Sequence, residues 1–136
     1  MSVLPILAAL GSLQGINLRA DALSDPLSLQ NDRPEFSWEL RGANEVKNLS
    51  QTAYRLLVAS SPNLLAKDEC DLWDTGKVIS SSTFGIRYAG SQLRSRARAW
   101  WKVQIWDQAG REGNWSNAAS FGVGLLNPTD WKAKWI

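Results

Sequence analysis

The sequence predicts an all-β sandwich of about seven short strands, and two observations predict it. Apolar residues recur at every second position in segment after segment. Those segments are separated by proline, glycine, asparagine and aspartate turn chemistry, with no long helical pattern between them. The chain also carries eight tryptophans in 136 residues. That is far more aromatic area than a domain of this size needs, and it points to packing and surface contact rather than to an active site.

The elements follow in order. Ile16–Ala20 alternates as a first strand. Asp25-Pro26 and Asn31-Asp32-Arg33-Pro34 supply turns. Glu35–Arg41 alternates strictly and places Phe36, Trp38 and Leu40 on one face. A polar loop over 42–48 leads to Thr52–Ser60, with Tyr54, Leu56 and Val58 on the core face. One helical turn is expected at Asn63–Ala66, then short strands at Leu72–Val78 and Phe84–Tyr88. Ala99–Trp106 is the strongest strand. Trp101, Val103 and Ile105 share its inner face, and Trp100, Lys102, Gln104 and Trp106 its outer face. A turn at 107–110 precedes Ser120–Leu125, whose Phe121, Val123 and Leu125 point inward. This spacing is that of an immunoglobulin-like or fibronectin-III-like β-sandwich over residues 15–126.

Composition removes several kinds of chemistry. The chain has no histidine and one cysteine, so Ser/His/Asp and Cys/His catalytic sets cannot be built from it. Cys70 alone offers no disulfide and no cysteine–histidine zinc site. No cofactor is implied. Fifteen basic against thirteen acidic residues leave a net charge of +2, too balanced to point to nucleic acid or an anionic membrane as partner. The densest basic stretch, Arg94-Ser95-Arg96-Ala97-Arg98, reads as a solvated loop or a contact to a neighbouring domain rather than a phosphate site. Asp68, Glu69, Asp71 and Asp74 read as a solvated acidic turn, and Cys70 beside them as an exposed unpaired thiol.

Residues 1–14 read as a signal peptide or an apolar tail. Val3–Leu10 is apolar and Ala9-Leu10-Gly11 has small residues suited to cleavage, although no basic residue precedes the run. With the sequons Asn48-Leu49-Ser50 and Asn114-Trp115-Ser116, this leans toward secretion. No stretch of 18 apolar residues is present, so no spanning helix is predicted.

The candidate functional surface is the outer face of the Ala99–Trp106 strand. Indoles at Trp100 and Trp106, flanked by Lys102 and Gln104, could stack on sugar rings or pack against another protein surface. Trp131 and Trp135 lie beyond the last strand. They join this set as residues either exposed or folded back. Trp38, Trp101 and Tyr54 are assigned to the core.

Several segments in order resemble a known family: Gln51–Ser61, Asp71–Val78, Leu93–Arg96, Trp100–Asp107, Trp115-Ser116 and Asp130–Ile136. Together they resemble the N-terminal fibronectin-III-like domain of bacterial and fungal α-L-rhamnosidases, the family-78 glycoside hydrolases. The resemblance implies a non-catalytic accessory module. Its parent enzyme would hydrolyse terminal α-L-rhamnosyl residues from glycosides with inversion. It also implies that residues 127–136 lead into further domains, and that a helical barrel beyond them holds the catalytic acid and base. No catalytic residue can be carried over onto this chain, which is expected to be a fragment of the enzyme or a truncated product. Neighbouring domains of the parent are then the expected partners, with rhamnosyl glycosides as the lesser alternative. A free-standing adhesion module or a small carbohydrate-binding module are the rival readings. One departure stands out: the position six residues after Leu93, where such domains often place a tethering tyrosine, is Ala99.

Overall fold

The computed structural model describes residues 13–42 and 50–126. Its strands are β1 (Gln14–Ala20), β2 (Glu35–Arg41), β3 (Ala53–Ala59), β4 (Trp73–Asp74), β5 (Val78–Ile79), β6 (Ile86–Arg87), β7 (Arg98–Trp106) and β8 (Ala119–Gly122), with helix α1 (Pro62–Ala66) after β3. They form two antiparallel sheets. One runs β1-β2-β6; the other runs β4-β3-β7-β8, with β5 also paired to β3. This is the predicted sandwich.

The differences from expectation have local causes. The single strand predicted at Leu72–Val78 is two strands, because Asp74 accepts a hydrogen bond from the Gly76 amide at 2.8 Å. Gly76 takes the left-handed conformation, φ +64°, which a side chain would resist. The ladder breaks at this turn. β4 pairs with Leu57 and Val58, and β5 with Ala53 and Tyr54 at the other end of β3. The last strand ends at Gly122. Phe121 and Val123 are buried as predicted, whereas Leu125 is only half-buried. Leu40 was expected on the core face and is exposed. Its cross-strand partner is Gly15, which has no side chain to cover it. The Phe84–Tyr88 strand shrinks to Ile86–Arg87, leaving Phe84 76% exposed.

The core is aromatic. The Phe36 ring lies 4.4 Å from Trp101, 5.7 Å from Phe121 and 6.4 Å from Tyr88, centre to centre. Trp38 and Tyr54 meet edge to face at 5.4 Å. Trp38, Trp101 and Tyr54 are all buried, as assigned. The Trp38 indole N–H donates to Gln51 Oε1 at 3.0 Å, and the Gln51 amide donates to the Ser80 and Ser82 carbonyls. Trp101 is different: among the described residues its indole N–H has no partner.

A tyrosine elsewhere, Tyr88, does tie its hydroxyl to the backbone. Leu93 and Ala99 are buried, and the hydroxyl of Tyr88 donates to the Ser91 carbonyl, with the Leu72 carbonyl at 3.5 Å. Burial, and secondarily the charge of Asp71, push the Tyr88 phenol up to about 12. Residues 1–12, 43–49 and 127–136 lie outside the described residues. With them go the signal-peptide reading, the first sequon's Asn48 and the Trp131/Trp135 assignment.

Candidate functional site

The outer face of β7 is assembled by its pairing with β3. Ala53 to Ala59 face Trp106 to Trp100 in unbroken antiparallel register. Alternation then sends Trp101, Val103 and Ile105 inward, while Trp100, Lys102, Gln104 and Trp106 share the outer side with Arg55, Leu57 and Ala59. These four side chains thus share one side of the strand. What the sequence did not reveal is that the chain covers this face itself.

Two segments do the covering. The first is α1, started by Ser61, whose hydroxyl oxygen accepts the Leu64 amide hydrogen bond at 3.2 Å, and by Pro62 in the first turn. It lowers Leu65 onto Leu57 and Ala59, and Leu64, Cys70, Trp100 and Trp115 pack around that cluster. The second is the 107–118 loop. Gln104 is only 7% exposed, and its amide donates to the Gly113 carbonyl at 3.0 Å. It satisfies the loop backbone and is closed to a ligand. Asp107 is fully buried and pairs with Arg111 at 3.0 Å, which fixes the turn that starts the loop.

Cations complete the cover. The Lys102 ammonium sits 4.8 Å from the centre of the Trp115 ring and pairs with Asp68 at 2.5 Å. The Arg55 guanidinium lies 5.9 Å from the same ring and grips Asp74 through two hydrogen bonds of 3.0 and 2.7 Å. Lys77 lies 4.9 Å over Trp106, and Arg98 5.4 Å over Trp100. Trp100 and Trp106 are half-buried. Six residues apart on one strand, they are separated by about 20 Å and do not form one platform for a single sugar ring.

The acidic stretch is more ordered than a solvated turn. Hydrogen bonding by Arg55 holds the Asp74 carboxyl below the usual range against the opposing effect of burial. At Asp71 burial pulls upward, but the Ser60 hydroxyl and amide win and hold the carboxyl low. Cys70 is half-buried on the α1 cluster rather than exposed. Burial, then the Asp74 charge, push its thiol up, away from the reactive thiolate. Among the described residues, no group of three or more His, Cys, Asp or Glu is placed to hold a metal ion. No described helix is long and apolar enough to cross a membrane.

Trp115 is the residue that sequence reasoning undervalued. It lies outside every predicted strand, so periodicity carried no signal for it. In the sequence it stood out through the resemblance, as part of Trp115-Ser116, which said nothing of where its ring packs.

Two face-packed antiparallel sheets, with the outer layer of the larger one covered by its own loops, define an immunoglobulin-like module. The chain belongs to the family of Rha78A-like, N-terminal immunoglobulin domains, which matches residues 16–127. It is similar to an α-L-rhamnosidase of Formosa agariphila, with 44% identity over 117 residues, 86% of this chain and 12% of that protein. It is also similar to one of Streptomyces avermitilis, with 38% identity over 111 residues, 82% of this chain and 10% of that protein. Among solved structures, α-L-rhamnosidase from Dictyoglumus thermophilum superposes with a TM-score of 0.82 and 37% identity, over 87% of this chain and 13% of that one. The S. avermitilis enzyme complexed with L-rhamnose gives 0.81 and 32%, over 88% and 11%. The chain thus spans about an eighth or less of the length of these relatives.

Proposed function

We propose that this chain is the non-catalytic N-terminal accessory module of an α-L-rhamnosidase, with residues 15–126 as the folded unit. The parent enzyme releases terminal α-L-rhamnosyl residues from glycosides by hydrolysis, and the module braces neighbouring domains. The observation that carries this reading is the 44% identity confined to 12% of an α-L-rhamnosidase. Glycoside hydrolysis needs two carboxyl groups across a cleft. Here Asp68, Asp71 and Asp74 are each engaged by a neighbouring side chain, Lys102, Ser60 and Arg55. That favours a scaffolding role for the acidic stretch.

The test is rhamnose release from an aryl α-L-rhamnoside. The 136-residue chain is expected to release none above buffer, and the longer polypeptide encoded with it to release rhamnose readily. Hydrolysis by the short chain that disappears in Asp74→Asn would overturn the assignment.

A further inference from the structure

We infer that the face formed by Leu27 and the Arg94–Arg98 loop is where the module docks onto the part of the parent polypeptide that follows Leu126. This rests on the accessory-module reading and names the surface that serves it.

Four observations converge on this face. The first is where the chain leaves. The Leu126 amide donates to Ser95 Oγ at 3.0 Å, and the Arg96 amide donates to the Gly124 carbonyl at 3.1 Å. The last described residue, Leu126, therefore lies against the arginine loop, and a surface tethered through it would meet this face at a high effective concentration.

The second is a held but uncovered leucine. Residues 26–29 lie along β8, an edge strand of its sheet: the Gly122 amide donates to the Pro26 carbonyl, the Leu29 amide to the Gly122 carbonyl, and the Gly124 amide to the Leu29 carbonyl. A Cβ at Gly122 would sit 2.3 Å from the Leu27 carbonyl oxygen, so the segment is seated too closely for any other residue there. Yet the Leu27 side chain is 73% exposed and Leu23 nearby in sequence is 52% exposed. A backbone fixed this firmly presents its leucine in one place, with little ordering left to do on contact.

The third is charge. Arg94, Arg96 and Arg98 are all exposed, and among the described residues none takes part in a salt bridge. Of the other cations placed on this module's aromatic rings, Arg55 and Lys102 each have a carboxylate, whereas Lys77 over Trp106 takes part in no salt bridge among the described residues. Covering three arginines is costly unless carboxylates meet them, so the occupant brings an apolar spot ringed by Asp or Glu. The fourth is shape: Leu27, Gln30, Arg96, Arg98 and Leu125 line a groove of about 360 Å³.

Hydroxyl-radical footprinting reads the exposure of Leu27 directly, in the 136-residue chain and in the longer polypeptide, with a reporter peptide setting the dose. Leu27 oxidation is expected to fall several-fold in the longer polypeptide and to recover when Arg94, Arg96 and Arg98 are all changed to Glu. L27D, in a side chain the module does not use, serves as a second variant. It should leave the melting of the 136-residue chain unchanged and lower the first melting transition of the longer one. Equal oxidation of Leu27 in both polypeptides would overturn the assignment. So would protection only at Ile79 and Phe84, on the opposite edge. Protection that appears in the 136-residue chain alone as its concentration rises would give the face to a second copy and overturn it as well. If the longer polypeptide releases rhamnose while Leu27 stays open, only the docking surface is wrong. If it releases none, the accessory-module reading falls first.

Discussion

The two faces of β7 bury tryptophan in different ways. On the inner face, Trp101 is enclosed by the opposite sheet, in contact with Phe36 and fully removed from water. On the outer face, Trp100 and Trp106 are half-covered by a five-residue helix, a loop and the cations of Arg98 and Lys77. The inner arrangement is apolar, dry and determined by strand alternation. The outer one depends on segments outside the ladders and on cations over its rings, with partly exposed partners such as Asp68 and Asp74. One strand thus shows that alternation assigns a side chain to a face but does not say whether that face is open.

The sharpest way to break this contrast is to truncate on each side. Trp101→Ala should cost about 3–5 kcal/mol, as core aromatics do, and Trp100→Ala only about 1–2, in proportion to its half burial. Urea unfolding followed by far-UV circular dichroism measures both, and equal losses would erase the distinction.

Within the core, the two buried indoles should separate. Trp38→Phe strands the Gln51 carbonyl oxygen that accepts its N–H. Trp101→Phe removes an N–H that has no partner among the described residues. The first should therefore cost about 1–3 kcal/mol more than the second, the cost of an orphaned buried acceptor.

Tyr88→Phe removes the tether to the Ser91 carbonyl and should cost about 1 kcal/mol at neutral pH. It also has a pH signature. The folded phenol sits near 12, above the ordinary value of 10, so the native state keeps a proton that the unfolded chain releases. That contribution is whole below pH 10 and is lost as pH rises toward 12. Stability profiles of wild type and Y88F should converge over that window; parallel profiles would deny the tyrosine its role. Tyr54, also raised by burial, adds a background slope common to both proteins.

The smallest effect belongs to the outer ion pairs. Asp68 is more than half exposed, so Asp68→Asn should cost less than about 1 kcal/mol and less still in high salt.

Most of the sandwich was legible because its strands alternate where one face is buried. Phe36, Trp38, Tyr54, Trp101 and Phe121 all lie where period-two patterning puts them. The misses come from places where another interaction overrides the pattern. The Asp74–Gly76 turn splits a strand, and Gly15 leaves Leu40 uncovered. Alternation puts Trp100, Lys102, Gln104 and Trp106 on one side of β7, but their cover was invisible. It is made by α1 and by the loop carrying Trp115, which touch β7 through tertiary contacts that no local pattern encodes. The arginine loop was read either as solvated or as a contact to a neighbouring domain. The position of Leu126 beside Ser95, which no local pattern encodes, is among the features that set it apart from other basic loops.

The most direct test of the central claim is the size of the native protein, from an immunoblot of source extract with an antibody raised against residues 15–126. A band several times larger than the 136-residue chain is the predicted result for a module of an α-L-rhamnosidase. A single band at the size of the short chain would contradict it.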